Sequence, residues 1–80
     1  MGTIESLAAK LAEDTMNAMD ETGEDRLFTE IGDVLAASSQ SLEEAFLTEI
    51  RVRQSERIAR RFLQQKLTSL RAKRPPTDPG

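Results

Sequence analysis

The side chains best suited to chemistry in this chain are nine basic residues that follow one another after residue 50. They are Arg51, Arg53, Arg57, Arg60, Arg61, Lys66, Arg71, Lys73 and Arg74. Arginine binds phosphate through paired hydrogen bonds, so a basic helix of this kind is a candidate nucleic-acid-binding element. The arginines of this set, Arg51, Arg53, Arg57, Arg60, Arg61, Arg71 and Arg74, are the candidate nucleic-acid contacts.

Two features of the sequence oppose that interpretation. The segment IGDVLAASSQSLEEAF has the outline of a helix-turn-helix, but its second helix opens with Glu43 and Glu44, which phosphates repel. The chain has no Trp or Tyr and only three Phe, so side chains that could stack on bases are scarce. Nucleic-acid binding is therefore the alternative function and not the main one.

Catalytic and metal-binding patterns are weak along the whole chain. There is no His and no Cys, which removes the common general base, the common metal ligands and disulfides. Ser38, Ser39 and Ser41 consequently have no His to activate them. The acidic residues 20–25 do not fit a calcium loop, because Asp25 stands where that loop requires Gly. We expect a protein without catalytic activity, cofactor or metal.

The charge is strongly polarised along the chain. Residues 1–50 contain twelve acidic and two basic residues, whereas residues 51–80 contain two acidic and nine basic ones, so the two parts carry −10 and +7. This distribution is typical of a nucleic-acid arm, of a helix on a membrane surface, or of parts that attract each other within or between chains. No stretch is apolar enough for a membrane span and no signal peptide is evident, so we expect a cytoplasmic protein.

Hydrophobic periodicity predicts an all-α protein in which two shorter helices pack on a long third one. The first helix is expected over residues 4–19 and the second over residues 24–37. The third is expected over residues 41–73, which contain no Gly or Pro. Residues 1–74 then form one domain, and residues 75–80 form a disordered tail. The apolar stripe of the second helix consists of Leu27, Phe28, Ile31, Val34 and Leu35.

Local signals mark where these helices begin and end. Either Gly23 closes the first helix or Thr22 caps the second. Ser41 with Glu44 has the spacing of a capping box for the third helix. Gly32 lies off the apolar stripe of the second helix, so that helix should depend on packing for its stability.

The predicted lengths do not match one another. Helices of about 15 residues span roughly 22–24 Å, whereas the third helix would span roughly 50 Å. Its second half should therefore expose an apolar stripe, and such a stripe usually marks an interface. The candidate partner-binding residues are Ile58, Phe62, Leu63, Leu67 and Leu70.

Three arrangements would cover this stripe. A second copy of the helix would give a homodimer in the manner of a coiled coil, and a groove on a different protein would accept the helix by its apolar anchors. Alternatively, a break near Gln54 or Ser55 would let the C-terminal part fold back. The sequence predicts a non-catalytic protein–protein interaction module, an adaptor, regulator or assembly component, that self-associates or docks a partner.

Overall fold

The computed structural model describes residues 2–73, which form three α-helices and no β-strand. Helix α1 spans Thr3–Thr22, α2 spans Leu27–Ala36 and α3 spans Gln40–Lys73. The prediction of a small all-α protein with two shorter helices and a long C-terminal one is confirmed. The predicted tail at residues 75–80 and the basic residue Arg74 lie outside the described residues.

The end of α1 is fixed by a glycine in the left-handed conformation. Gly23 has φ of 76°, and its N–H donates to the carbonyl of Met19 at 2.8 Å. That backbone conformation carries almost no penalty for Gly and is a common way to close a helix. The Thr22 hydroxyl accepts a hydrogen bond from the N–H of Glu24 at 3.2 Å, so Thr22 belongs to this turn and does not cap α2.

The start of α3 differs from the prediction. The Ser39 hydroxyl accepts a hydrogen bond from the N–H of Leu42 at 3.2 Å, which satisfies one of the free donors of the first turn. Ser41 already lies inside the helix, so the predicted capping box of Ser41 and Glu44 is wrong. Three serines, at positions 38, 39 and 41, lie around the start of α3, and the sequence alone does not select which of them is the cap.

Helix α3 is continuous over 34 residues. It passes through Gln54 and Ser55 without interruption, so the alternative of a break at that point is wrong. This continuity agrees with the absence of Gly and Pro from the segment.

Helices α1 and α3 run parallel, and the short α2 runs in the opposite direction. Ile4, near the start of α1, lies beside Ala45, whereas Asp20, near its end, is paired with Arg57. Helix α1 therefore ends opposite Arg57, and the remaining part of α3 projects beyond it by roughly 24 Å at 1.5 Å per residue. We call residues 58–73 the overhang and residues 2–57 the bundle.

The core lies where α1 meets the first half of α3. The side chains of Phe46 and Ile50 are fully enclosed and face the buried Ala8, Ala12 and Met16 of α1. Alanine has little side chain to separate the two helix backbones, so α1 and α3 can approach closely. Partly buried apolar residues complete the core: Leu11, Met19, Phe28, Ile31, Leu35, Leu42, Ala45 and Leu47.

Helix α2 packs through a face that differs in part from the predicted stripe. Gly32 is buried, and a β-carbon added there would lie 3.4 Å from a methyl carbon of Leu47. Val34 was predicted to lie on the stripe, yet it is 68% exposed, so this part of the prediction is wrong. The physical reason is that the side of α2 that packs on α3 includes Gly32, which has no apolar side chain, so the pattern of apolar residues places the centre of that side too close to Val34.

Candidate interaction surface

The overhang presents most of its apolar side chains to solvent. Phe62 is 65% exposed and Leu63 is 51% exposed, and Ile58 and Leu70 are comparably open. Leu67 is partly buried by its neighbours on the helix. Among the described residues, Ile4, Leu7, Val34 and Val52 are also exposed, so the overhang carries half of the exposed large apolar side chains.

Helix geometry divides the five predicted partner-binding residues into two groups. Successive residues on an α-helix are about 100° apart, so Phe62 and Leu63 point in different directions. Ile58 and Phe62, four residues apart, form one pair near the top of the bundle, where Ile58 borders a hollow beside Met19. Leu63, Leu67 and Leu70 form the other group, which we call the leucine stripe.

The leucine stripe continues down α3 along the side of the bundle. Val52 is 58% exposed, and together with Ala59 it extends the stripe at helical spacing. At Val52 the stripe meets an open groove of about 550 Å³ between α1 and α3. We call this the α1–α3 groove, and its lining includes Glu13, Met16, Asn17, Glu49, Val52 and Glu56.

The candidate nucleic-acid contacts Arg53 and Arg57 are engaged within the bundle. Arg57 donates two hydrogen bonds to the Asp20 carboxylate, at 2.8 and 2.9 Å, which joins the C-terminal part of α3 to α1. These bonds hold the pKa of Asp20 below its ordinary value and raise the pKa of Arg57. Arg53 is paired with Glu49 and also donates to the carbonyl oxygen of Ala9 at 3.3 Å.

The remaining candidate arginines are on the surface of α3. Arg60 donates to Glu56 at 2.8 Å, one turn earlier on the same helix. Arg51, Arg61 and Arg71 are exposed and form no ion pair with another described residue. Two ion pairs therefore join the acidic and basic parts of the described chain: Arg53 with Glu49, and Arg57 with Asp20, which we call the clamp of α3 on α1. Most of the overhang's positive charge faces solvent.

The side of α3 that packs on the bundle changes character after Ile50. Phe46 and Ile50 are buried, but at the following positions on the same side α3 carries Arg53 and Arg57. Beyond the end of α1 that side continues with Gln64, which is exposed. These polar residues cannot extend a hydrophobic core, so the core ends after Ile50. Beyond that point, the apolar side chains of α3 lie on a different side of the helix, in the leucine stripe.

Groups that could support catalysis or metal binding are occupied with local structure or dispersed. The Ser38 hydroxyl donates to the Leu35 carbonyl at 3.4 Å, and the Ser39 hydroxyl caps α3. Within residues 2–73, acidic side chains do not gather in any group of three able to hold a metal ion. None of the helices in that part of the chain has the length and apolarity needed to cross a membrane.

Apart from Arg53 and Arg57, the residues of the α1–α3 groove were not predicted from the sequence to take part in binding. A spacing of seven residues relates Val52 to Ala59 and Ala45. That spacing was the available signal, because residues seven apart lie on nearly the same side of a helix.

Comparisons with known protein families, with curated proteins and with solved structures found no match to this chain.

Proposed function

We propose that this protein is a non-catalytic interaction module that self-associates through the leucine stripe of its overhang. The observation that carries the proposal is the exposure of Leu63 and Leu70 on a helix that extends beyond the bundle. Contiguous apolar side chains in this position are stabilised when a second surface removes them from water. A module of this kind acts by contact, as an adaptor, a regulator or an assembly component.

The size of the chain gives independent support. Within residues 2–73, only three large side chains are more than nine-tenths buried: Met16, Phe46 and Ile50. Short chains bury a smaller fraction of their surface than long ones and commonly gain stability by association. A second copy would supply the missing apolar contacts at the place where the bundle ends.

Sedimentation equilibrium over the micromolar concentration range tests self-association directly. We expect the wild type to be dimeric and the Leu63→Glu variant to be monomeric, because a dimer would bury a carboxylate in each copy. Leu7→Glu is the matched control, since Leu7 is 55% exposed on α1 and lies off the stripe. A monomeric wild type would contradict the proposal, and so would equal dissociation by both substitutions.

Nucleic-acid binding is the second candidate, and the charge of the overhang favours it. Residues 58–73 contain five basic residues and no acidic one. Binding of a short DNA duplex, followed by fluorescence anisotropy, should weaken steeply as salt increases. Neutralising both Arg61 and Arg71 should lower the slope of that dependence by about 2, whereas Lys10→Gln on α1 should not change it. An unchanged slope in the double variant would reject this candidate.

A further inference from the structure

The leucine stripe and the α1–α3 groove lie on the same side of α3. Ala45 and Val52 are seven residues apart, and so are Leu63 and Leu70. Residues seven apart are displaced by only about 20° around a helix, and these two pairs fall on nearly the same side. One side of α3 therefore has two apolar positions beside the bundle and two on the overhang, with the same separation.

We infer that a second copy of this chain docks antiparallel, so that the overhang of each copy lies in the α1–α3 groove of the other. This inference rests on the proposed self-association and adds its orientation and its contact surface. In this arrangement Leu63 of one copy faces Val52 of the second copy, and Leu70 faces Ala45. A single register provides both contacts, because the two separations are equal and two antiparallel helices rise at the same rate.

Charge selects this orientation over a parallel one. The overhang carries five basic residues and no acidic one, whereas the bundle, residues 2–57, carries thirteen acidic and five basic residues. A parallel pairing of two overhangs would bring like charges together, which opposes association. The antiparallel pairing places each overhang, which has a net charge of +5, against a bundle with a net charge of −8.

The lining of the groove agrees with this charge balance. Glu13, Glu49 and Glu56 border the groove, and Glu5 and Glu44 border its continuation toward the start of α1. Part of this charge is balanced, because Glu49 is paired with Arg53 and Glu56 with Arg60, and Arg57 in the lining is paired with Asp20. Along the groove and its continuation five acidic residues still outnumber two basic ones, and α3 contributes the apolar positions Val52 and Ala45, which suits a helix that has an apolar stripe and basic flanks.

Disulfide formation between single-cysteine variants tests the orientation. The chain contains no Cys of its own, so only the introduced cysteines can form a disulfide. The Val52→Cys and Leu63→Cys variants are oxidised separately and as an equimolar mixture. In the antiparallel register two copies of residue 52 would be roughly 16 Å apart, since each helix rises about 1.5 Å per residue. A disulfide requires Cα atoms within about 7 Å, so only the mixture should form a covalent dimer.

Mass spectrometry identifies the product, which should contain one copy of each variant. Ala45→Cys mixed with Leu70→Cys should behave in the same way, because the same register brings those positions together. Ser69→Cys is the control, since Ser69 is adjacent in sequence to Leu70 but about 100° away around the helix, and its mixture with the Ala45→Cys variant should not cross-link.

The possible failures are distinguishable. Covalent dimers formed by each variant alone would indicate parallel packing and overturn the orientation while leaving self-association in place. A wild type that sediments as a dimer, with no cross-link in either mixture, would overturn the groove contact in the same way. A wild type that sediments as a monomer would overturn both the proposed function and this inference.

Discussion

Replacing Leu63 by Ala should weaken dimerisation by about 30-fold without destabilising the monomer. Full burial of a leucine side chain contributes about 1.5–3 kcal/mol. Leu63 is 51% exposed in the single chain, so about half of that burial remains to be gained at an interface. The gain is about 1 kcal/mol per copy and about 2 kcal/mol for a symmetric dimer, which corresponds to about 30-fold in Kd.

The stability of the single chain should hardly change, because this part of Leu63 contacts solvent and Ala is the better helix former. Sedimentation equilibrium at several loading concentrations gives the dimer Kd, and thermal unfolding at low concentration gives the stability of the monomer. Leu7→Ala is the matched control, since it removes the same atoms from a side chain that is 55% exposed on α1.

Two results would refute this reasoning. If Leu63→Ala changed the dimer Kd by less than about threefold, the stripe would not be buried on association, because the burial estimate requires more. If Leu7→Ala weakened dimerisation as strongly as Leu63→Ala, general loss of surface apolarity would explain the effect. Phe62→Ala is a further comparison, because Phe62 lies off the stripe and should affect the dimer less than Leu63.

The remaining predictions concern the bundle. Phe46→Ala should lower the free energy of unfolding by about 3–5 kcal/mol and abolish the cooperative thermal transition, because Phe46 is fully enclosed. Phe62→Ala should leave the thermal unfolding of the monomer nearly unchanged, because Phe62 is exposed. Gly32→Ala should raise the free energy of unfolding by about 0.5–1 kcal/mol, because Ala favours the helix and its β-carbon would lie 3.4 Å from Leu47, an ordinary contact. The contact with Arg57 lowers the pKa of Asp20 in the folded state. The contact therefore stabilises the fold fully at pH values above the unfolded-state pKa of Asp20, and this stabilisation is lost as the pH falls through the lower folded-state pKa. Titration by NMR should show the Asp20 pKa returning toward 3.8 in Arg57→Gln, and an unchanged pKa would contradict the clamp.

The fold class and the length of α3 follow from periodicity and composition, but the contacts of α2 do not. A stripe of apolar residues indicates which side of a helix is buried only when apolarity alone decides the packing. In α2 the buried side includes Gly32, which has no apolar side chain and lies close to the side chain of Leu47. Val34, at the edge of the predicted stripe, is exposed. The cap at Ser39 was missed for a related reason, since neighbouring serines offer the same chemistry and the path of the connection selects among them.

The exposure of the overhang's apolar residues was predictable from the sequence, but the groove beside them was not. Length mismatch identified the overhang, and helical spacing identified its leucines. The roles of the arginines depended on distant partners. Arg57 is placed beside Asp20 only because α1 ends at that level of α3, and a separation of 37 residues in sequence leaves no local signal for the pair. The α1–α3 groove likewise arises from two helices whose sequences are far apart.

In the proposed dimer, the polar residues on the bundle side of α3 would separate folding from association. If that side had remained apolar after Ile50, α1 and α2 would compete with a partner for the same surface, and the end of the bundle would be ill defined. Arg57 instead fixes the end of α1 through Asp20, and the apolar residues of the overhang lie on another side of the helix. Substitutions on the bundle side should therefore change monomer stability, and substitutions in the leucine stripe should change assembly. Gly32→Ala, which alters the packing of α2 on α3, and Leu63→Ala test this separation as a pair. The first should change monomer stability and leave the dimer Kd unchanged, and the second should do the reverse.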